Sequence, residues 1–261
     1  MGADGSPSPV LGWDGFGLTP VAETAPPAGP RTAADSFLVE EGRVLAVDLH
    51  RDRFLDAAGR SQDANTFWAA AVDALPRTGA WFPRFEAFAG PSRPEFRLLL
   101  RPSPPLSRSV ALVRVSGTEA RRSPSVKGPD LDAMLRLRGE AVRLGAGDAV
   151  LTTGEGYVIE GATTALAWWR GDVLCTAAPE LARVPSVTER VLLTLAAATG
   201  TPTLTEHVTA NELDGLEVWA LNALHGIRIV PEWLGGPALA ELPGRLDLWR
   251  RRLAALRRPL P

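Results

Sequence analysis

One lysine stands out among the residues that could do chemistry, because Lys127 is the only lysine in a chain rich in arginine. A guanidinium stays protonated at any working pH, so arginine cannot act as a nucleophile. A lysine amine can lose its proton, attack a carbonyl carbon and hold it as a Schiff base. Lys127 is therefore a candidate nucleophile, and the competing interpretation is an exposed lysine retained by chance.

Three other segments carry residues suited to one chemical scheme. The first segment, Asp48–Phe54, precedes the lysine and contains His50 and Arg53. The other two follow the lysine: Tyr157–Thr164, which contains Glu160, and Val184–Val191. The last segment predicts a helix start, where unpaired amides and the helix dipole can bind a phosphate.

The order of these segments around Lys127 resembles the class IV aminotransferases, the fold-type IV pyridoxal-phosphate enzymes, which include branched-chain and D-amino-acid aminotransferases and aminodeoxychorismate lyase. The resemblance covers the chain from about Asp35 to Val230. It implies a two-domain α+β fold similar to that of D-amino-acid aminotransferase, pyridoxal 5'-phosphate as cofactor, and a homodimer.

The resemblance also implies roles for individual residues. Lys127 would bind the cofactor covalently and move the proton at the substrate α-carbon. Glu160 would pair with the pyridine nitrogen and keep it protonated. Val187 and Thr188 would bind the phosphate at the helix start, and Arg53 would cap it. His50 is interpreted as a structural support for Arg53.

Near the C-terminal strands, Leu221–Leu224 resembles the Asn-Ala-Leu segment of aminodeoxychorismate lyase. Asn222 is expected near the cofactor phosphate or the substrate, and Ala223 stands where relatives have a phosphate-binding threonine. Ala165 stands where the family often has asparagine, and Tyr157 is the only tyrosine.

Arginines are the candidates for binding a substrate carboxylate. Arg84 falls where the family often has a basic residue facing the substrate, and Arg93, in the following loop, could act with it. Arg97 and Arg101 are competing candidates. Taken alone, each of the four is better explained as an exposed charge on a sheet or loop than as a substrate-binding group.

The spacing of apolar residues predicts the elements that must position these groups. Helices are predicted over 48–59, 64–75, 131–144 and 186–198 and from 242 onward, with Ser186 as an N-cap. Strands are predicted over 10–15, 36–47 as a hairpin, 81–88, 96–100, 110–115, 150–175 as a β-meander, 218–220 and 227–230.

A proline-rich stretch, 102–107, is the clearest linker because successive prolines stiffen the backbone. It separates a smaller N-terminal domain, 1–101, from a larger C-terminal domain, 108–261, that carries the lysine. Both parts mix hairpins and helices, which indicates an α+β class.

Composition excludes several other classes of protein. The 261 residues are 45% apolar with a net charge of −2, which gives no electrostatic footprint for nucleic acid or an anionic membrane. No apolar run approaches the ~20 residues of a membrane span, and no signal peptide is expected at the N-terminus. One cysteine and three dispersed histidines predict no metal site. A soluble, cytoplasmic protein is predicted.

Three functions remain open at this point. The first is transamination between a small amino acid or amine and a keto acid, favoured as the commoner chemistry of the family. The second is a lyase of the aminodeoxychorismate type, releasing pyruvate and p-aminobenzoate. The third is a catalytically inactive cofactor-binding paralogue, against which the retained Lys127 and Glu160 argue.

Overall fold

The computed structural model describes residues 9–22, 24–115 and 121–261. Its described residues divide into two compact units. The first falls within Met1–Leu106, Val126–Pro129 and Leu256–Pro261, and the second within Ser107–Ser125 and Asp130–Ala255. Residues 1–8, the predicted start of the first domain and the place where a signal peptide was not expected, lie outside the described residues.

The first unit is built on a five-stranded antiparallel sheet with the order β2-β1-β8-β7-β3. Its strands are β1 (Val10–Trp13), β2 (Leu18–Val21), β3 (Arg31–Ser36), β7 (Arg84–Phe88) and β8 (Glu95–Leu99); the short strands β4 (Val39–Glu40), β5 (Arg43–Val44) and β6 (Ala80–Trp81) form a ribbon beside them. Because β3 pairs with β7 on one side only, its other side is a free edge that can bind another segment.

Two helices, α1 (Val47–Ala58) and α2 (Gln62–Asp73), supply apolar side chains to the core of the first unit. Helix α1 ends at Gly59, whose φ of 93° suits glycine. Helix α2 begins at Ser61, whose side chain accepts a hydrogen bond from the Ala64 amide. The core is an aromatic cluster of Phe37, Phe54, Phe67, Trp68, Phe85 and Phe96, with neighbouring rings in stacked, tilted or edge contacts.

The second unit contains two sheets. One has the order β11-β10-β9-β17 and the other β14-β13-β12-β15-β16. Its strands are β9 (Leu112–Arg114), β10 (Asp148–Thr152), β11 (Val158–Gly161), β12 (Ala165–Arg170), β13 (Val173–Ala177), β14 (Thr203–Glu206), β15 (Glu217–Asn222), β16 (Gly226–Ile229) and β17 (Trp233–Leu234).

Three helices pack on these sheets: α3 (Leu131–Arg143) against β10, α4 (Val187–Ala198) against β15, and α5 (Arg245–Ala255) against β16. Apolar residues from both sheets form one buried cluster, which includes Leu151, Leu166, Trp168 and Val218. A last strand, β18 (Arg258–Pro259), pairs with β5 of the first unit.

Two short segments join the first unit although they follow the predicted linker. Residues 126–129, with Lys127, contact β3, and the C-terminal residues 256–261 pair with β5. Both contacts are main-chain hydrogen bonds between segments that are distant in sequence. The local spacing of apolar residues therefore could not predict them. The division into domains 1–101 and 108–261 at the 102–107 linker stays a prediction.

Candidate active site

Lys127 lies in the loop before α3, and its main chain is held at the free edge of the sheet. Ala34 of β3 donates its N–H to the carbonyl oxygen of Lys127 at 2.8 Å. Gly128 is buried, has a φ of +143°, and would place a Cβ only 2.6 Å from the carbonyl carbon of Ala33. Glycine therefore allows the loop to approach β3 this closely.

Asp35, the next residue of β3, binds both residues singled out on α1. Arg53 donates from Nε and Nη2 to the two carboxylate oxygens of Asp35 at 2.8 and 2.9 Å. Nδ1 of His50 lies 2.7 Å from Oδ1 of Asp35, and the carboxylate is fully buried. The planar, bidentate pair fixes the orientation of Arg53.

Burial and charge act in opposite directions on this cluster. Burial alone would raise the pKa of Asp35, but the neighbouring cations, chiefly Arg53, more than offset it and hold that pKa well below its usual range. Burial lowers the pKa of His50; Asp35 opposes that shift, whereas Arg53 and Lys127 reinforce it. Near neutral pH, His50 is therefore neutral and donates its Nδ1–H to ionised Asp35.

The two arginines predicted to bind substrate lie at opposite ends of the same strand, Arg84 as its first residue and Arg93 beyond its last. Arg84 begins β7, and its Nε is 3.1 Å from Glu86, near enough for an ion pair but not aligned for a hydrogen bond. Glu86 also accepts from Nε of Arg31 at 2.8 Å. Arg93 follows the far end of β7, has a side chain 58% exposed, and donates to the carbonyl oxygen of Asp14. The structure does not bring Arg84 and Arg93 together.

Of the competing candidates, Arg101 shares the surroundings of Arg84. Its Nη2 is 3.3 Å from the hydroxyl oxygen of Ser36, and its guanidinium carbon is 5.3 Å from the ring centre of Phe82. Burial and the nearby charge of Arg84 lower the pKa of Arg101 to about 10. Arg97 is instead structural, because its three nitrogens donate to Glu95, to the Ala25 carbonyl and to the Pro26 carbonyl.

In the second unit, Glu160 lies on β11 and is buried against an arginine that the sequence interpretation did not include. Nη1 of Arg121 donates to Oε1 of Glu160 at 2.7 Å and to the carbonyl oxygen of Ala182 at 3.1 Å. The pair holds the carboxylate in one orientation. The sequence carries only a faint signal for it, an arginine shortly before Lys127.

The start of α4 has the geometry expected of a phosphate site. Ser186 is the N-cap: its hydroxyl accepts from the Glu189 amide at 3.2 Å and its carbonyl from the Arg190 amide at 3.0 Å. In the described part of the chain, no hydrogen bond of the protein uses the amides of Val187 and Thr188. These two donors are positioned for an anion or water.

The turn between β15 and β16 is organised by Asn222. Its Oδ1 accepts from the amides of Leu224 and His225 at 3.2 and 2.8 Å. The role that the structure assigns to the Asn222 oxygen is thus to order the turn that contains Ala223. The match to the Asn-Ala-Leu segment had not indicated this role.

Each unit by itself holds groups that suit parts of a phosphorylated pyridine aldehyde. The first unit has the chain's one side-chain amine and an oriented arginine, which suit an aldehyde and a phosphate. The second unit has a buried carboxylate, which suits a protonated ring nitrogen, and two helix-start amides that donate to no acceptor in the described residues. Among the described residues, no group of three or more His, Cys, Asp or Glu could hold a metal ion. No helix in the described ranges is long and apolar enough to cross a membrane.

The architecture is that of the fold-type IV transaminases. It matches branched-chain aminotransferase from Thermoproteus uzoniensis, solved with norvaline, at 18% identity and a TM-score of 0.83 over 98% of this chain and 100% of that one. It also matches the Escherichia coli branched-chain amino acid aminotransferase, at 15% identity and a TM-score of 0.82 over 96% of this chain and 95% of that one. A third match is a hypothetical aminotransferase from Mycobacterium tuberculosis in a PLP-bound form, at 19% identity and a TM-score of 0.71 over 95% of this chain and 98% of that one.

The model of the amino-transferase class IV family matches residues 32–233. The chain therefore belongs to the class IV aminotransferases, a family of pyridoxal-phosphate-dependent enzymes. A comparison with curated proteins finds no significant match. The predicted family, fold class and enzyme class are thereby confirmed.

Proposed function

We propose that this protein is a transaminase that moves an amino group between a small amino acid or amine and a keto acid, with pyridoxal 5'-phosphate bound through Lys127. The observation that carries the proposal is the position of the only lysine. It is hydrogen-bonded to β3, the strand whose Asp35 orients Arg53. The family match over residues 32–233 supports the same chemistry.

When bound, the cofactor would supply an aldehyde and an electron-accepting ring. Lys127 would attach to the aldehyde and, once the substrate amine has displaced it, would act as a free amine that moves the proton at the α-carbon. Glu160, held by Arg121, would face the ring nitrogen and keep it protonated. Arg53, the amides of Val187 and Thr188, and the turn at Asn222 and Ala223 would bind the phosphate.

Ser186 offers a direct test of the phosphate role. Ser186→Ala removes the cap of α4 and is expected to cost about 1 kcal/mol of unfolding free energy. It is also expected to weaken binding of pyridoxal phosphate severalfold, because the first turn that carries the two amides would fray.

Ser61→Ala is the matched control, since Ser61 caps α2 with the same geometry and has no assigned cofactor role. Both variants should lose similar stability in urea, whereas only Ser186→Ala should bind pyridoxal phosphate less tightly in a fluorescence titration. If Ser186→Ala and Ser61→Ala bind pyridoxal phosphate with equal affinity, the start of α4 does not contribute to the cofactor site.

Arg84 is proposed to bind the substrate carboxylate, with Arg101 beside it. Among the described residues, the buried Nε atoms of Arg84 and Arg101 donate no hydrogen bond, so these two arginines can bind an added anion beside Glu86. Arg93 has the weaker support, because it contacts Asp14 beyond the other end of β7.

The expected effect of Arg84→Gln is a loss of about 10- to 100-fold in kcat/KM, the value of one charge-assisted hydrogen bond. The loss should come mainly from KM for the carboxylate substrate. Arg51→Gln, at an exposed position of α1, is the control and should leave both constants unchanged. An unchanged KM in Arg84→Gln would show that the substrate carboxylate binds to other residues.

The test of the proposed function is a panel of amino donors offered with pyruvate or 2-oxoglutarate as acceptor. Keto acid formed from the donor, with ping-pong kinetics, is the expected result. Pyruvate released from aminodeoxychorismate without transfer of an amino group would identify a lyase instead. A bound cofactor with no turnover of either kind would identify an inactive paralogue.

We also propose a homodimer, which light scattering on the purified protein tests.

A further inference from the structure

The residues Ala33, Ala34 and Asp35 of β3 contact both cofactor-binding groups of the first unit. The Ala34 amide binds the carbonyl oxygen of Lys127, and the Asp35 carboxylate binds Arg53. Consecutive residues of a strand point to opposite faces, while the main chain between them faces the edge. One short stretch of an edge strand therefore binds two groups that are far apart in sequence.

Gly128 makes the contact with the lysine loop possible. An added Cβ would lie 2.6 Å from the carbonyl carbon and 2.7 Å from Cα of Ala33, and 2.7 Å from the amide nitrogen of Ala34. These atoms are main chain in a hydrogen-bonded sheet, so they cannot move aside as a flexible side chain could. The loop would have to retreat from the strand and carry Lys127 with it.

We propose that Gly128 and the Ala33–Asp35 segment of β3 are positioning residues, which set the distance between the Lys127 amine and the phosphate-binding group of Arg53. This inference rests on the proposed function, in which the two groups bind the aldehyde and the phosphate of one molecule. Gly128 acts through the main chain and touches no substrate. Its role is to place the amine where a phosphate held by Arg53 presents the aldehyde.

The sole lysine allows this to be measured without any turnover. Apo protein is mixed with pyridoxal phosphate or with pyridoxal, the product is trapped with borohydride, and capture at Lys127 is followed by mass spectrometry of its peptide. Pyridoxal has the same aldehyde but no phosphate for Arg53 to orient. The ratio of the two capture rates therefore reports the alignment of Lys127 with Arg53.

Gly128→Ala is expected to lower capture of pyridoxal phosphate on the order of 100-fold, as for a misplacement of about 1 Å, and to change capture of pyridoxal little. Gly139→Ala is the matched control, because an added Cβ at this α3 residue meets no atom within 4 Å. Ala34→Pro replaces the N–H that binds Lys127 by a ring carbon that would displace the loop, so it should give the same selective loss in folded protein.

The outcomes separate this inference from the proposed function. Equal capture ratios in Gly128→Ala and Gly139→Ala would overturn it, and so would a parallel loss for both aldehydes in folded Gly128→Ala protein. If wild type captures pyridoxal phosphate selectively and the ratio falls in the variant, the positioning role stands even when no amino donor is turned over. If wild type shows no preference for the phosphorylated aldehyde, the proposed cofactor role of Lys127 fails first.

Discussion

Replacing Lys127 by alanine is expected to remove the visible absorbance band of lysine-bound pyridoxal phosphate and to lower kcat by about 10²- to 10⁴-fold. The physical reason is that no other side-chain amine exists in the chain, so neither covalent attachment nor proton transfer at the α-carbon can be taken over by a neighbour. Absorbance before and after borohydride, together with steady-state rates, measures both effects.

Lys127→Arg is the sharper control, because it keeps the positive charge and the main-chain contact with Ala34 but loses the nucleophile. It should fold with the stability of wild type and be as inactive as the alanine variant. Retention of the borohydride-sensitive band in either variant would show that another amine, such as the N-terminus, binds the aldehyde.

The second large effect is expected at Asp35. Asp35→Asn removes the charge that pairs with Arg53 and accepts from His50 in a fully buried site. The substitution leaves the largely buried Arg53 guanidinium without this counter-ion. We therefore expect a loss of about 3–5 kcal/mol in the free energy of unfolding. Urea denaturation of the apo protein measures this loss directly.

Asp56→Asn on the same helix gives the comparison, because Asp56 pairs with Arg60 at an exposed i,i+4 position. Such a surface pair is worth about 0–1 kcal/mol. Similar losses in the two variants would contradict a buried, structural ion pair at Asp35. The Asp35 variant should also bind pyridoxal phosphate less tightly, since its Arg53 is no longer oriented.

The helices were predictable because each carries a local signal. The α1, α2, α3 and α4 segments begin and end within a few residues of their predicted limits, and Ser186 is the cap that its residue type indicated. Helix α5 begins at Arg245, three residues after the predicted start and directly after Gly244.

Several strands were harder to define because their partners are distant. The predicted hairpin over 36–47 is a shorter pair, β4 and β5, while Ser36 ends the longer β3 and Val47 begins α1. The short strands β2, β14, β17 and β18 were not predicted. A two- to four-residue strand has almost no periodicity of its own and exists because a neighbouring strand offers hydrogen bonds.

The candidate site divides in the same way. Arg97 and Arg101 cannot be distinguished in the sequence, yet one binds two carbonyl oxygens and a carboxylate while the other lies beside Arg84. Asp35 stands between two alanines and a Ser-Phe-Leu-Val run, and a carboxylate buried among such residues is seldom without a partner. The partner of Glu160, Arg121, carried almost none.

By itself the sequence indicated the family and its candidate groups: one side-chain amine in an arginine-rich chain, a carboxylate, a helix start, and an order of segments typical of the class IV aminotransferases. Tertiary structure alone decided how the lysine loop is held: the Ala34 amide of β3 binds the Lys127 carbonyl, and Gly128 lies against the main chain of Ala33. It also decided that Asp35 of the same strand orients Arg53. The reason is physical. Residue type sets which reaction a side chain can perform, whereas orientation depends on main-chain hydrogen bonds and ion pairs between segments far apart in the chain.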